Sequence, residues 1–155
     1  MALFYGTYVN KVDRKGRVSV PAAFRAALAG TSARTIILRP SHKEPTIDVF
    51  PVDYFESLST SLDELDVLSD DQDDLSLTLF ANATQANLDG EGRVLLPKEM
   101  AEAAGIGEQA AFVGRGAIFQ IWEPGAAETS KREAMERARK RGATLPRRRP
   151  PEEPK

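Results

Sequence analysis

The sequence predicts an α+β, β-rich fold assembled from two internal repeats, with short helices and a C-terminal helix. Two observations carry this. The stretch Asp13-Arg14-Lys15-Gly16-Arg17-Val18-Ser19-Val20-Pro21 returns as Asp89-Gly90-Glu91-Gly92-Arg93-Val94-Leu95-Leu96-Pro97, with Asp, Gly, Arg, Val and Pro at one fixed offset. Around each copy the same order of patterns recurs: a strand-like stretch, the turn, a second strand-like stretch, a proline-led helix and a two-strand unit. An internal repeat constrains a fold more than any single motif does.

The elements follow in order. Thr7 to Val12 is rich in β-branched and aromatic residues, and Val18-Ser19-Val20 resumes that pattern. Asp13 to Gly16 between them suits a type I turn followed by a left-handed residue, a common hairpin connection. Asp accepts backbone N–H bonds at such a turn, and Gly takes positive φ without strain. Pro21 then opens a helix, where its missing N–H costs nothing. Phe24 and Leu28 share one face of that helix, and Gly30 is its expected stop. Thr35–Arg39 and Thr46–Phe50 read as a second hairpin around a loop holding His42. Val52 to Leu62 reads as a helix with Tyr54, Phe55 and Leu58 as its apolar positions. The stretch Leu75–Ala83 alternates like a strand at its start, yet Asp73 and Asp74 precede it and Leu75, Leu79, Phe80 and Ala83 keep helical spacing; helix is favoured.

The second copy repeats this order. Thr84–Leu88 and Arg93–Leu96 are strands, Lys98–Ala104 a helix ended by Gly105, and Ala110–Gly114 and Ala117–Trp122 a hairpin around Arg115-Gly116. The expected organisation is a first repeat over 5–51, an acidic helical connector over 52–83, a second repeat over 84–125, a C-terminal helix over 126–142 and a basic disordered tail over 143–155. The C-terminal helix carries only a thin apolar stripe, Ala127, Ala134, Met135 and Ala138, and the tail with Arg147-Arg148-Arg149 has little apolar area to bury.

The chain of 155 residues has the size of one ordinary domain or two very small ones, and 41% hydrophobic content suffices for a core. It has no cysteine, which excludes disulfides and thiolate chemistry. No stretch reads as a signal peptide or a membrane span, so a soluble cytoplasmic protein is the default expectation. The net charge of -2 hides a partition. From Met1 to Arg39 the only acid is Asp13, against seven basic residues; from Glu44 to Glu91 there is no Lys or Arg, and acids gather between Asp63 and Asp74. A basic face can bind nucleic acid even where the total charge is near zero.

Arg14, Lys15 and Arg17 therefore stand at a turn whose Gly permits close approach. Arginine reads guanine O6 and N7 through paired N–H groups, and lysine supplies a point charge for phosphate. A single polar turn is more simply explained by solubility, but turn geometry does not require an arginine after the glycine in both copies. Asp13, Gly16, Asp89 and Gly92 are expected to shape the turns, with each Asp positioned to pair with Arg17 or Arg93. The second turn, with Gly90 and Glu91, keeps only Arg93 and should bind phosphate more weakly. No catalytic constellation is present, His42 lacks metal-ligand partners, the Asp70, Asp71, Asp73 and Asp74 cluster lacks the spacing of a calcium loop, and the Gly105 and Gly114 regions match no phosphate-loop spacing. No catalytic residue, metal, cofactor or small-molecule substrate is expected.

The two copies of Asp-x-x-Gly-Arg-Val-x-[Val/Leu]-Pro, the opening Gly6-Thr7-Tyr8, the pair Pro21-Ala22 and the run Asn82-Ala83 into Leu88-Asp89 resemble the MraZ family of bacterial transcriptional regulators, over roughly residues 1 to 140. That resemblance implies a double AbrB-type swapped-hairpin β-barrel completed within one chain. It implies a ring-shaped homo-oligomer, associated with the nucleoid, that binds double-stranded DNA at short direct repeats upstream of the division and cell-wall gene cluster and usually represses it. It carries DNA contact onto Asp13…Arg17 and Asp89…Arg93. The expected DNA-binding residues are thus Arg14, Lys15, Arg17 and Arg93, and the acidic connector is expected on another face. The alternative is a non-enzymatic oligomeric scaffold whose Asp–Arg turns are only braces.

Overall fold

A computed structural model describes residues 2–29 and 34–146. Its strands are β1 (Thr7–Lys11), β2 (Arg17–Ser19), β3 (Thr35–Pro40), β4 (Ile47–Pro51), β5 (Thr84–Asn87), β6 (Arg93–Leu95), β7 (Gln109–Gly114) and β8 (Phe119–Trp122). Its helices are α1 (Ala22–Leu28), α2 (Val52–Leu62), α3 (Asp70–Ser76), α4 (Lys98–Ala103) and α5 (Pro124–Arg141). A π-helical turn, Leu77–Ala81, continues α3. The expected stop at Gly30 and the basic tail from Arg147 lie outside the described residues.

The local hairpins expected at the two turns do not form as ladders. At the first, Asp13 N–H donates to Arg17 O at 2.9 Å and Gly16 N–H to Asp13 O at 3.0 Å, and Val12 bridges Val18. Beyond that bridge the strands part. The reason is competition for backbone partners: β1 finds five in-register partners on β7, from Thr7↔Val113 to Lys11↔Gln109, which the three-residue β2 cannot match. Strand β5 likewise pairs with β3, from Thr35↔Asn87 to Leu38↔Thr84. Each repeat thus lends its first strand to the other's hairpin. The result is a double swapped-hairpin fold, with an antiparallel sheet in the order β1-β7-β8-β4-β3-β5 and a separate β2-β6 ribbon. The order reads the same from both ends under exchange of the repeats.

Side-chain alternation along the strands sorts the two faces of the large sheet. Ile36, Leu38, Ile47, Val49, Phe112, Phe119 and Ile121 point to one face and form the core with Val18 and Val94 of the ribbon, Phe24 and Leu28 of α1, and Met100 of α4. Helix α1 starts after Pro21, and the Phe24 ring lies edge-on to Phe4 at 5.5 Å and against Phe119 at 4.9 Å. The N-terminal segment reaches Phe4 along the β7–β8 turn: Gly116 N–H donates to Phe4 O at 2.9 Å and Gly114 N–H to Gly6 O at 2.9 Å. A Cβ at Gly114 would stand 2.4 Å from the Tyr5 backbone, so this glycine is a packing requirement.

Phe50 lies on the opposite face and packs against Tyr54 and Phe55 of α2, while Phe55 meets Phe80 at 5.2 Å. The connector therefore covers the sheet on the side away from the ribbon. The expected helix over Leu75–Ala83 forms as far as Ala81, while Asn82 and Ala83 lie beyond its end, and α3 is started by the Ser69 hydroxyl, which accepts from Gln72 N–H at 3.1 Å. Asp70, Asp71, Asp73 and Asp74 are exposed on it. Helix α5 begins at Pro124, two residues before the expected Ala126, because the Glu123 carboxylate accepts from Gly125 and Ala126 N–H. Of its apolar stripe only Ala127 is buried; Met135 is 63% exposed.

Between β4 and β8 the register is Ile47↔Ile121, Asp48↔Gln120 and Val49↔Phe119, which puts Asp48 and Gln120 on the pseudo-twofold axis. Both are buried. Asp48 accepts from Arg39 Nη2 at 2.7 Å and from Gln120 Nε2 at 2.7 Å, while Gln120 Oε1 accepts from Trp122 Nε1 and Arg115 Nη1 at 3.0 Å. Arg39 is buried over the Phe50 ring, 5.3 Å from its centroid, and its Nε and Nη1 have no acceptor among the described residues. The ring face offsets part of that desolvation. Removing one partner of a buried ion pair leaves an uncompensated charge. Asp48→Ala is therefore expected to lower unfolding free energy by about 3–5 kcal/mol, read from urea denaturation; an unchanged midpoint would show that Arg39 is neutralised some other way.

Candidate nucleic-acid interface

The two repeated turns meet at the β2-β6 ribbon. The register is Arg17↔Leu95, Val18↔Val94 and Ser19↔Arg93, so the central valines lie on the axis and face the core. Directly opposed residues project to the same side of a ribbon, as do residues two apart. Arg17, Ser19, Arg93 and Leu95 consequently share the outer face, with Leu95 58% exposed. Each turn is completed by the other repeat: Gly16 O accepts from Leu96 N–H and Gly92 O from Val20 N–H, both at 3.0 Å. Gly16 and Gly92 have φ of 87° and 79°, the left-handed conformation that the turn requires and that side chains resist.

The aspartates do identical work in both copies. Asp13 Oδ1 accepts from Lys15 N–H at 3.0 Å and from Arg17 N–H at 2.9 Å, while its Oδ2 holds Arg17 Nε at 2.8 Å. Asp89 Oδ1 accepts from Glu91 and Arg93 N–H at 2.9 Å, and Oδ2 holds Arg93 Nε at 2.8 Å. Each guanidinium is thus tied by Nε and fixed in direction, with the Arg17 side chain 33% and the Arg93 side chain 28% exposed. The backbone N–H of Arg17 is the main cause that holds the Asp13 carboxyl below its ordinary value; burial opposes it, and the Arg17 side chain adds to the lowering, with Arg93 acting in the same way on Asp89. The hydrogen bond to Asp89 raises Arg93, helped by the charges of Asp89, Glu91 and Asp13.

The copies differ at their tips. Arg14 and Lys15 are exposed beside Arg17. In the second turn Gly90 and Glu91 replace them, and the Glu91 carboxylate lies 3.6 Å from Arg93 Nη2. The structure therefore brings Asp13, Arg14, Lys15, Gly16 and Arg17 to one end of a ribbon that also presents Arg93, Asp89 and Gly92. Ser19 and Leu95 were missed at the level of sequence, although strand alternation from Arg17 and Arg93 marks them. Arg25 of α1 was also missed; it lies against Gly92.

The chain is a two-repeat swapped-hairpin protein with an arginine-bearing ribbon at its pseudo-twofold axis. It belongs to the MraZ family: the family model described as "MraZ protein, putative antitoxin-like" matches residues 3–76 and 79–144. A protein of Gluconacetobacter diazotrophicus named transcriptional regulator MraZ is 46% identical over 142 residues, covering 90% of each chain. The protein of that name from Gluconobacter oxydans is 45% identical, covering 90% of this chain and 87% of the relative. That from Rickettsia felis is 41% identical over 145 residues, covering 94% and 97%.

Carboxylates whose pKa is depressed by folding stabilise the fold above their unfolded value and lose that contribution as pH falls through the folded one. The stabilisation from Asp13 and Asp89 is thus complete above about pH 4 and lost below it. Replacing both with Asn is expected to lower the melting temperature at pH 7 and to flatten its decline between about pH 4 and pH 2. Parallel wild-type and variant curves across that range would mean that the carboxylates do not couple folding to protons.

Proposed function

We propose that this chain is a DNA-binding transcriptional regulator that represses promoters carrying short direct repeats upstream of the division and cell-wall gene cluster, acting as a ring-shaped homo-oligomer in the cytoplasm, at the nucleoid. The observation that carries the reading is the common outer face of the ribbon, where Arg17 and Arg93 are half-buried, reach solvent, and are each aimed by an aspartate. A two-stranded ribbon fits the major groove, and Arg17, held by Nε, keeps its terminal nitrogens for a guanine edge or a phosphate, whereas Arg93 shares Nη2 with Glu91. Arg14 and Lys15 add phosphate contacts at the first tip. The names of the relatives point the same way, and the acidic connector, packed on the far face of the sheet, does not oppose an approaching duplex. Several such ribbons on one ring meeting repeated sites gain by effective concentration, which offsets the small charge of each tip. No chemical step is part of this reading.

One observation favours a second reading. The Asp13–Arg17 and Asp89–Arg93 pairs serve their own turns, as expected of braces in an oligomeric scaffold. Arg17→Ala separates the two. A DNA contact predicts affinity for a duplex from the gene's own upstream region reduced about tenfold or more, with little change in melting temperature. Bracing alone predicts early melting and unchanged affinity of the folded fraction. Wild-type binding should also fall steeply with salt as counterions are released; a flat salt dependence in an anisotropy titration would count against charge-led binding.

A further inference from the structure

The second turn lacks the tip cations of the first, yet a cation stands beside it from another element. Arg25, on α1 of the first repeat, crosses to the second turn. A Cβ built on Gly92 would meet Arg25 Cδ at 2.5 Å, Nη1 at 2.7 Å and Nε at 2.9 Å. The Arg25 side chain thus lies directly across Gly92, whose φ of 79° is what requires glycine there. Arg25 Nε donates to Val20 O at 3.1 Å, and Val20 N–H donates to Gly92 O at 3.0 Å, so the guanidinium is anchored to the edge of the ribbon. The residue remains exposed, and it has no carboxylate partner among the described residues.

The pseudo-symmetric position shows that this is not a requirement of the fold. Ala101 of α4 stands where Arg25 stands in the first copy. There the space beside the turn is a cavity of about 450 Å³, lined by Lys15, Gly16, Lys98 and Ala101 among others. The first turn carries its cations in the loop, and its neighbouring helix carries none at this position. The second turn carries Gly90 and Glu91 in the loop, and its neighbouring helix carries Arg25.

Resting on the DNA-binding reading above, we propose that Arg25 is the phosphate-contacting cation of the second turn, supplied in trans by the first repeat's helix. The ribbon then presents positive charge at both ends, although only one loop is basic.

The experiment is a salt series from about 50 to 200 mM with a fluorescent duplex from the gene's own upstream region, read by anisotropy. Arg25→Gln is expected to weaken binding several-fold and to make the slope of log affinity against log salt shallower by about one. Arg25→Lys, which keeps the charge and loses the planar Nε bond, should keep the wild-type slope. Wild-type slope in Arg25→Gln overturns the proposal. Ala101→Arg tests it without removing Arg25: a cation placed over the first turn should steepen the slope by about one, and no change counts against it. Arg17→Ala in the same titration keeps the two readings apart. If wild type itself does not bind the duplex, the DNA-binding reading falls; if Arg17→Ala weakens binding and Arg25→Gln does not, only the role of Arg25 falls.

Discussion

Two hydrogen bonds between the repeats, Leu96 N–H to Gly16 O and Val20 N–H to Gly92 O, hold together everything that follows from the turns. Each needs a carbonyl turned toward the other repeat, which the positive φ of the glycine provides. They seat Val18 against Val94 and draw the two turns onto one ribbon. With the ribbon in place, β1 and β5 are free to pair outside their own repeat. The inner valines close the core while the outer arginines stay accessible. Packing and exposure are thus set by the same few backbone bonds.

Much of this was legible in the residues. The repeated Asp…Gly-Arg…Pro spacing marked both turns, and proline marked the starts of α1 and α4, because these depend on local φ preferences and side chain to backbone bonds. The limits of α2 followed from Pro51 and from helical spacing. What local patterns missed was partner choice. Thr7 to Lys11 reads as half of a hairpin, since nothing within it distinguishes a neighbour six residues away from β7, about a hundred residues on; the family resemblance, and not the strand's own pattern, pointed to the exchange. The contact of Gly114 with the Tyr5 backbone was hidden for the same reason: it is made by a segment far away in sequence.

At the site, Asp13, Arg17, Asp89 and Arg93 were readable because each pair is local, four residues apart, and its geometry is carried by the turn. Arg25 was not, because its relation to Gly92 exists only after the repeats have crossed. Its helical face, shared with apolar Ala22 and Ala29 neighbours, gave no sign of a turn nearby. Charge differences between the two loops look like a loss of function in the second copy when the loops are compared alone. Seen with α1 in place, they look like a redistribution of charge between elements.

The buried pair on the axis between β4 and β8 has a meaning for the architecture as a whole. Two identical chains joined around a true twofold would be obliged to set each axial residue against itself: Asp48 against another carboxylate, or Gln120 against another amide. Like charges in that position repel, and two identical amides leave groups to be satisfied elsewhere. Covalent continuity between the halves lifts that obligation. A donor now faces an acceptor across the axis at 2.7 Å, and the carboxylate has capacity left for Arg39. Tandem duplication thereby permits a complementary centre that exact symmetry forbids, and this centre gives the two halves separate identities from the inside outward.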